Sequence, residues 1–265
     1  MCAFFKSTKA KLSSAEATQT PVPELKDAQL TAASYGQRTG GDSHDYIRVN
    51  PSRVLFALLN AAGRLDQNRP VVSAAQSTLR TCGQELLNKD DANEPDAMIE
   101  ICVQMNRAIL KAAEGVCSCA GFAGCYNETL GTVCYVNAGS TSAMLRDRTG
   151  IVELGATGLP LGLFSHSAAD ASIVALEPGA ALLLVSRGLL EAYRKEKEFG
   201  LAQVKELLLS ASAQTAEEIC ASLLAQVQQF LAPKSAEIGV TVLALVRSAA
   251  TKVTATGGAN GPSLA

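Results

Sequence analysis

Apolar and polar positions change rhythm several times along the chain, and each rhythm predicts an element. Leu30 to Tyr35 is short and mixed, Tyr46 to Val49 alternates, and Asn50-Pro51-Ser52 has turn chemistry. Val54 to Leu59 is a continuous apolar run, which suits a strand buried on both faces. The spacing then becomes helical. One helix is predicted over Val71 to Leu87. A second starts at Asn93-Glu94-Pro95-Asp96, where Asn93 caps and Pro95 fits the first turn, and runs to about Ala113. Met98, Ile101, Cys102, Met105 and Ile109 fall on one face of it.

Short strands follow in pairs. Val116 to Tyr126 and Thr132 to Asn137 flank a turn that ends in Gly131. Ser142 to Arg146 and Ile151 to Leu154 flank Asp147 to Gly150. Ala171 to Leu176 and Ala181 to Val185 flank Glu177-Pro178-Gly179. Helices are predicted over Leu189 to Lys195, Phe199 to Leu209 and Thr215 to Leu231, the last opened by the capping-box pattern Thr215 to Glu218. Val240 to Val246 is a final apolar strand. Strands, helices, hairpins, helices and a strand make an α+β fold with antiparallel sheets, not an alternating βαβ fold.

The first 25 residues and residues 249–265 lack a sustained apolar period. They are expected to be a disordered leader and tail around one domain, 26–248. Composition agrees with one folded body: 265 residues, 48% apolar, 18% charged and no Trp, so the core must be built from Ala, Leu and Val. A net charge of −2 lacks the basic excess of a nucleic-acid binder. No run of roughly 18 uncharged apolar residues marks a membrane span. The start MCAFFKSTKAK is a poor secretory signal, because Lys6 directly follows a very short apolar run. A soluble, cytoplasmic protein is expected. Its eight cysteines are scattered and do not read as a disulfide framework.

Four blocks carry a resemblance. They are Gly40-Gly41-Asp42-Ser43-His44-Asp45, Tyr135-Val136-Asn137-Ala138-Gly139, Gly158-Leu159-Pro160-Leu161-Gly162, and Glu177-Pro178-Gly179 followed by Leu182-Leu183-Leu184. In this order and with these intervals the chain resembles the SpoIIE-type (stage II sporulation protein E) branch of the PPM serine/threonine phosphatases, over about Ala32 to Arg247. The resemblance implies an αββα sandwich of two antiparallel sheets flanked by helices. It also implies Mn²⁺ or Mg²⁺ held by carboxylates, with a bridging water as nucleophile.

The family's carboxylate positions map onto four places. Asp42 keeps the first; Gly40, Gly41, His44 and Asp45 surround it as the phosphate or site entrance. Asn60 stands where the bridging aspartate is expected, and its neutral amide is a poor bridge between dications. Arg187 stands at the third, where a guanidinium cannot ligate a metal. Gly239 stands at the fourth, with Glu237 nearby. The resemblance therefore implies a degenerate member with a vestigial site of Asp42, Asn60, Arg187 and Gly239, and Asp42 as the one ligand if a metal binds. These four are expected to converge at one end of the sandwich. Arg187 is expected in the vacated metal position, paired with Asp42 or Asp45.

Other candidates read more plainly. Cys117, Cys119, Cys125 and Cys134 lack the spacing of a zinc module, and core packing is favoured; Cys117 and Cys119 are expected on one strand face. His44 is expected to be a partly exposed residue at a strand start, and His166 a loop residue. The charge run Tyr193 to Glu198 is expected to be a solvated helix end or loop. Three functions follow. The first is a pseudophosphatase that needs no cofactor and binds a signalling protein or phosphoprotein. The second is an active Mn- or Mg-dependent phosphatase acting on a regulator of the anti-sigma-antagonist type. The third is an unrelated interaction protein with accidental motif matches.

Overall fold

The computed structural model describes residues 22–36, 41–63, 65–115, 117–139, 141–166, 169–194, 197–210, 215–232 and 239–249. The leader and tail expectations fall almost wholly outside the described residues, as do Gly40 and Glu237. The chain opens with β1 (Ala28–Tyr35), β2 (Gly41–Asn50) and β3 (Arg53–Ala61), then α1 (Leu65–Leu87) and α2 (Glu94–Ala112). It continues through β4 (Cys119–Asn127), β5 (Thr132–Ala138), β6 (Ser142–Arg146), β7 (Ile151–Glu153), β8 (Ser172–Ala175) and β9 (Ala181–Val185). It closes with α3 (Arg187–Leu190), β10 (Tyr193–Arg194), β11 (Lys197–Glu198), α4 (Gly200–Ser210), α5 (Ala216–Leu231) and β12 (Val240–Arg247).

Two five-stranded antiparallel sheets carry the fold, ordered β1-β12-β9-β6-β7 and β2-β3-β4-β5-β8. The apolar runs have two destinations because each central strand is buried on both faces. Val54, Phe56 and Leu58 of β3 join Phe122, Tyr135, Leu182, Leu184, Leu243 and Leu245 between the sheets. Leu55 and Leu59 pack outward with Met98, Ile101 and Met105 of α2. On the other sheet Leu183, Val185 and Val242 pack outward with Leu223 and Val227 of α5. The result is the expected four-layer αββα sandwich.

Helix starts follow their capping chemistry. The Asn93 side chain accepts from the Asp96 amide, and Thr215 and Glu218 form a reciprocal capping box. Two predicted elements differ. The first helix begins at Leu65, six residues before the predicted start, and holds Pro70 within it. The segment ahead of Val71 is polar, so it carries no apolar period to read. The helix predicted over Leu189 to Lys195 is instead the short α3 followed by the β10–β11 hairpin, with Tyr193 paired to Glu198. Its exposed charged residues give no periodic face. Among the described residues no helix is long and apolar enough to cross a membrane.

Candidate functional site

Asp42 and Asn60 are direct partners in the β2–β3 register. Asn60 Nδ2 donates to Asp42 Oδ1. A carboxylate only accepts, so the amide must turn its NH₂ toward it. Asp42 is buried. Gly41, one residue earlier, lies against β3: a Cβ there would sit 2.4 Å from the Ala61 carbonyl oxygen. That approach admits only glycine. Asn68 of α1 donates to the same carbonyl at 3.0 Å, which pins the start of the helix beside the site.

Arg187 and Gly239 lie at the neighbouring ends of the other sheet. Ser186 donates its amide to the Thr241 carbonyl at 2.9 Å, and the Ser186 hydroxyl accepts from the Thr241 amide at 3.0 Å. Arg187 leads off α3 from this joint, and Gly239 directly precedes β12. Tyr35 pairs with Val240, and the five residues between Tyr35 and Gly41 span at most about 20 Å. This short crossover brings the two sheet ends to the same end of the sandwich.

The expected pairing of Arg187 is corrected. Its guanidinium donates to Glu191 Oε1 at 2.7 Å, as an i,i+4 pair on a side chain that is 74% exposed. It does not pair with Asp42 or Asp45. Asp45 belongs to Arg80 of α1, whose Nε donates to Oδ2 and Nη2 to Oδ1, each at 2.7 Å. This fork holds α1 against β2, and the bonds to Asp45 push the Arg80 pKa up. Gln76, one turn earlier, donates to Ser43 Oγ and to the His44 carbonyl. Nothing in the spacing of Asp45 and Arg80 marks them as partners; only the fold brings them together.

His44 is partly exposed, as expected, and is the fourth residue of β2, with its ring stacked on Tyr46 at 6.0 Å. His166 is exposed in a loop and contacts Ser165 Oγ. Cys125 and Cys134 face each other across β4 and β5, and both are fully buried in the helix-side core. Cys119 opens β4, whereas Cys117 precedes the strand, so they do not share a strand face. Both nevertheless pack against the same core. Burial pushes the thiols of Cys102, Cys119, Cys134 and Cys220 up to about 12 and that of Cys125 well above its usual value.

The glycine motifs are scaffold. Gly139 has φ +85°, and a Cβ on it would meet Pro160 Cγ at 2.5 Å. Its amide donates to the Gly158 carbonyl at 3.0 Å. The block around Asn137 and the block around Pro160 thus lock into each other. Buried Asn137 completes the lock, donating to the carbonyls of Thr141 and Leu154.

These motifs and this layering find their counterpart elsewhere. The sequence model of the Stage II sporulation protein E (SpoIIE) family matches residues 70–246. The chain belongs to the SpoIIE family. This excludes an unrelated protein with accidental motif matches. No curated protein matches the sequence. The SiaA-PP2C domain of Pseudomonas aeruginosa is similar at 16% identity and a TM-score of 0.66, over 82% of this chain and 84% of that one. The PP2C phosphatase domain of SpoIIE from Bacillus subtilis, solved with a fragment of its regulatory domain, is similar at 17% and 0.67, over 84% of this chain and 64% of that one. The RsbU and RsbW domains of a Mycobacterium tuberculosis protein are similar at 21% and 0.69, over 87% of this chain and 62% of that one. This chain therefore spans less than two thirds of the last two. At these identities the likeness is one of fold.

SpoIIE-family domains are associated with Mn²⁺ or Mg²⁺, ions that require several hard oxygen ligands. The four mapped positions supply one carboxylate. Asn60 directs N–H groups at it, Arg187 is cationic, and Gly239 has no side chain. Among the described residues no group of three or more His, Cys, Asp or Glu side chains could hold an ion. This donor set does not fit a two-metal centre.

Proposed function

We propose that this SpoIIE-family domain is a pseudophosphatase that acts in cytoplasmic, bacterial signalling by binding a protein. The observation that carries the reading is the Asn60–Asp42 contact. The remaining carboxylate accepts a hydrogen bond from within the chain, from an amide donor. The amide occupies an acceptor oxygen that a cation would need. Arg187 at the third position offers no oxygen ligand to a metal, and its guanidinium is paired with Glu191.

The partner is a signalling protein or a phosphoprotein. In the M. tuberculosis relative the RsbU domain stands in one chain with an RsbW domain, and the resemblance extends this to regulators of the anti-sigma-antagonist type. The deciding experiment is p-nitrophenyl phosphate turnover with Mn²⁺ alongside calorimetric Mn²⁺ titration. The expected result is neither turnover nor a binding isotherm. Turnover abolished both by chelator and by Asp42→Ala would establish the active metal-dependent phosphatase instead.

A further inference from the structure

Each of the two five-stranded sheets has two edges, and among the described residues three of these four are guarded. The β2 edge is covered by α1: Gln76 donates to the His44 carbonyl at 3.1 Å and Gln84 to the Arg48 carbonyl at 3.0 Å. The β1 edge lies under α5, with Cys220 Sγ 3.6 Å from the Thr31 carbonyl. The β7 edge is three residues long and ends in Glu153, which is salt-bridged to Lys205 of α4. Short length, charge and covering elements are the ordinary means of blunting a sheet edge.

The β8 edge, four residues long, has neither a charge within it nor a covering element among the described residues. Its sequence Ser-Ile-Val-Ala is uncharged, and on one side it pairs with β5 through Thr132–Tyr135. Ile173 is 55% exposed. In the register it faces Cys134, which belongs to the core under α2, so Ile173 lies on the helix-bearing face. Between Glu153 and Glu177 the chain carries a single charged side chain, Asp170. Asp170 and Glu177 are both exposed and flank the strand.

We propose that the outer edge of β8 is a docking site for an extended apolar segment of a partner protein, flanked by basic residues and added as a sixth strand. Main-chain hydrogen bonds supply the affinity of such an addition, and alternate side chains supply the specificity. Alternate side chains of the added strand would lie beside Ile173 and Ala175, both exposed, and basic flanks would meet Asp170 and Glu177. A second copy of this chain is a poor occupant. Antiparallel pairing of β8 about its own midpoint would set Asp170 of one chain opposite Glu177 of the other, a like-charge contact. The site lies on the half of the sheet away from the Asp42–Asn60 end. The proposal therefore stands whether or not the domain hydrolyses phosphate.

The test uses the full chain and two fluorescein-labelled peptides of alternating valine and threonine, one flanked by paired lysines and one by paired glutamates. Fluorescence anisotropy is expected to show saturable binding of the lysine-flanked peptide, at least about tenfold tighter than the other. Hydrogen exchange is expected to slow at Ser172–Ala175 on binding. The double variant Asp170→Lys/Glu177→Lys, changed at two exposed positions, is expected to reverse the preference between peptides, an outcome that misfolding cannot produce. Ile173→Thr is expected to weaken both. Absence of saturable binding, equal affinity for the two peptides, or an unchanged preference in the double variant would overturn the proposal. So would self-association of the chain that Ile173→Lys abolishes, which would assign the edge to a second copy.

Discussion

The amide of Asn60 donates to the carboxylate of Asp42 across directly paired positions of β2 and β3. The contact replaces a charge-on-charge problem with a hydrogen bond. Two carboxylates at these positions would repel each other unless a cation lay between them. Asn60→Asp is therefore expected to lower stability by about 1–3 kcal/mol, read as a fall in melting temperature. Phosphatase activity is not expected to return, because Arg187 still stands at the third position. A melting temperature raised by the substitution in metal-free buffer would contradict this account.

Arg187 is mostly solvated and bonded to its own helix. Exposed i,i+4 pairs contribute about 0.3–0.5 kcal/mol. Arg187→Ala should leave urea unfolding within that margin. A loss of several kcal/mol would show that the guanidinium serves the site electrostatically after all.

Asp45 is the opposite case. Its side chain is 2% exposed while that of Arg80 is 41% exposed. Arg80→Ala leaves a buried carboxylate without its fork. The expected cost lies between the about 0–1 kcal/mol of a surface pair and the about 3–5 kcal/mol of a buried one. Asp45→Asn in the Arg80→Ala background should recover part of it, measurable as a double-mutant cycle in urea.

Gly41 tests the close approach of β2 to β3. A methyl group at 2.4 Å from the Ala61 oxygen cannot be accommodated without moving a strand. Gly41→Ala should cost on the order of 1–3 kcal/mol. The shift should appear in slowed-exchange amides of β2 and β3 before those of the other sheet.

The buried thiols set an alkaline limit. Cys102, Cys119, Cys134 and Cys220 have pKa values of about 12 in the fold against 9.0 ordinarily. Between those values the unfolded chain releases protons that the folded chain keeps. Stability should thus be fully present below pH 9 and fall as the pH rises toward 12. Urea midpoints at pH 8 and pH 10.5 check the direction. At pH 8, alkylation mapped by mass spectrometry should spare these four cysteines in the folded chain.

Much of the architecture was legible in the residues. Val54 to Leu59 reads as doubly buried because its alternate side chains enter two different cores. The turns after Asn127, Asp147 and Glu177 come from local backbone preference. Helix starts at Asn93 and Thr215 follow from short-range capping. The i,i+4 spacing of Arg187 and Glu191 was also there to be read, and it outweighed the long-range pairing inferred from the family's metal position.

What the sequence determines alone is whatever a few neighbouring residues can decide: periodicity, caps, turns and the identity of the side chains at the mapped ligand positions. The tertiary structure decides which distant groups share a space. Strand register sets Asn60 against Asp42. The packing of α1 on β2 gives Asp45 to Arg80. Among the described residues the packing of α1 covers the β2 edge and nothing covers the β8 edge. Such pairings depend on backbone positions far apart in the chain, and hydrogen bonds and ion pairs act only over a few ångström, so no local pattern encodes them.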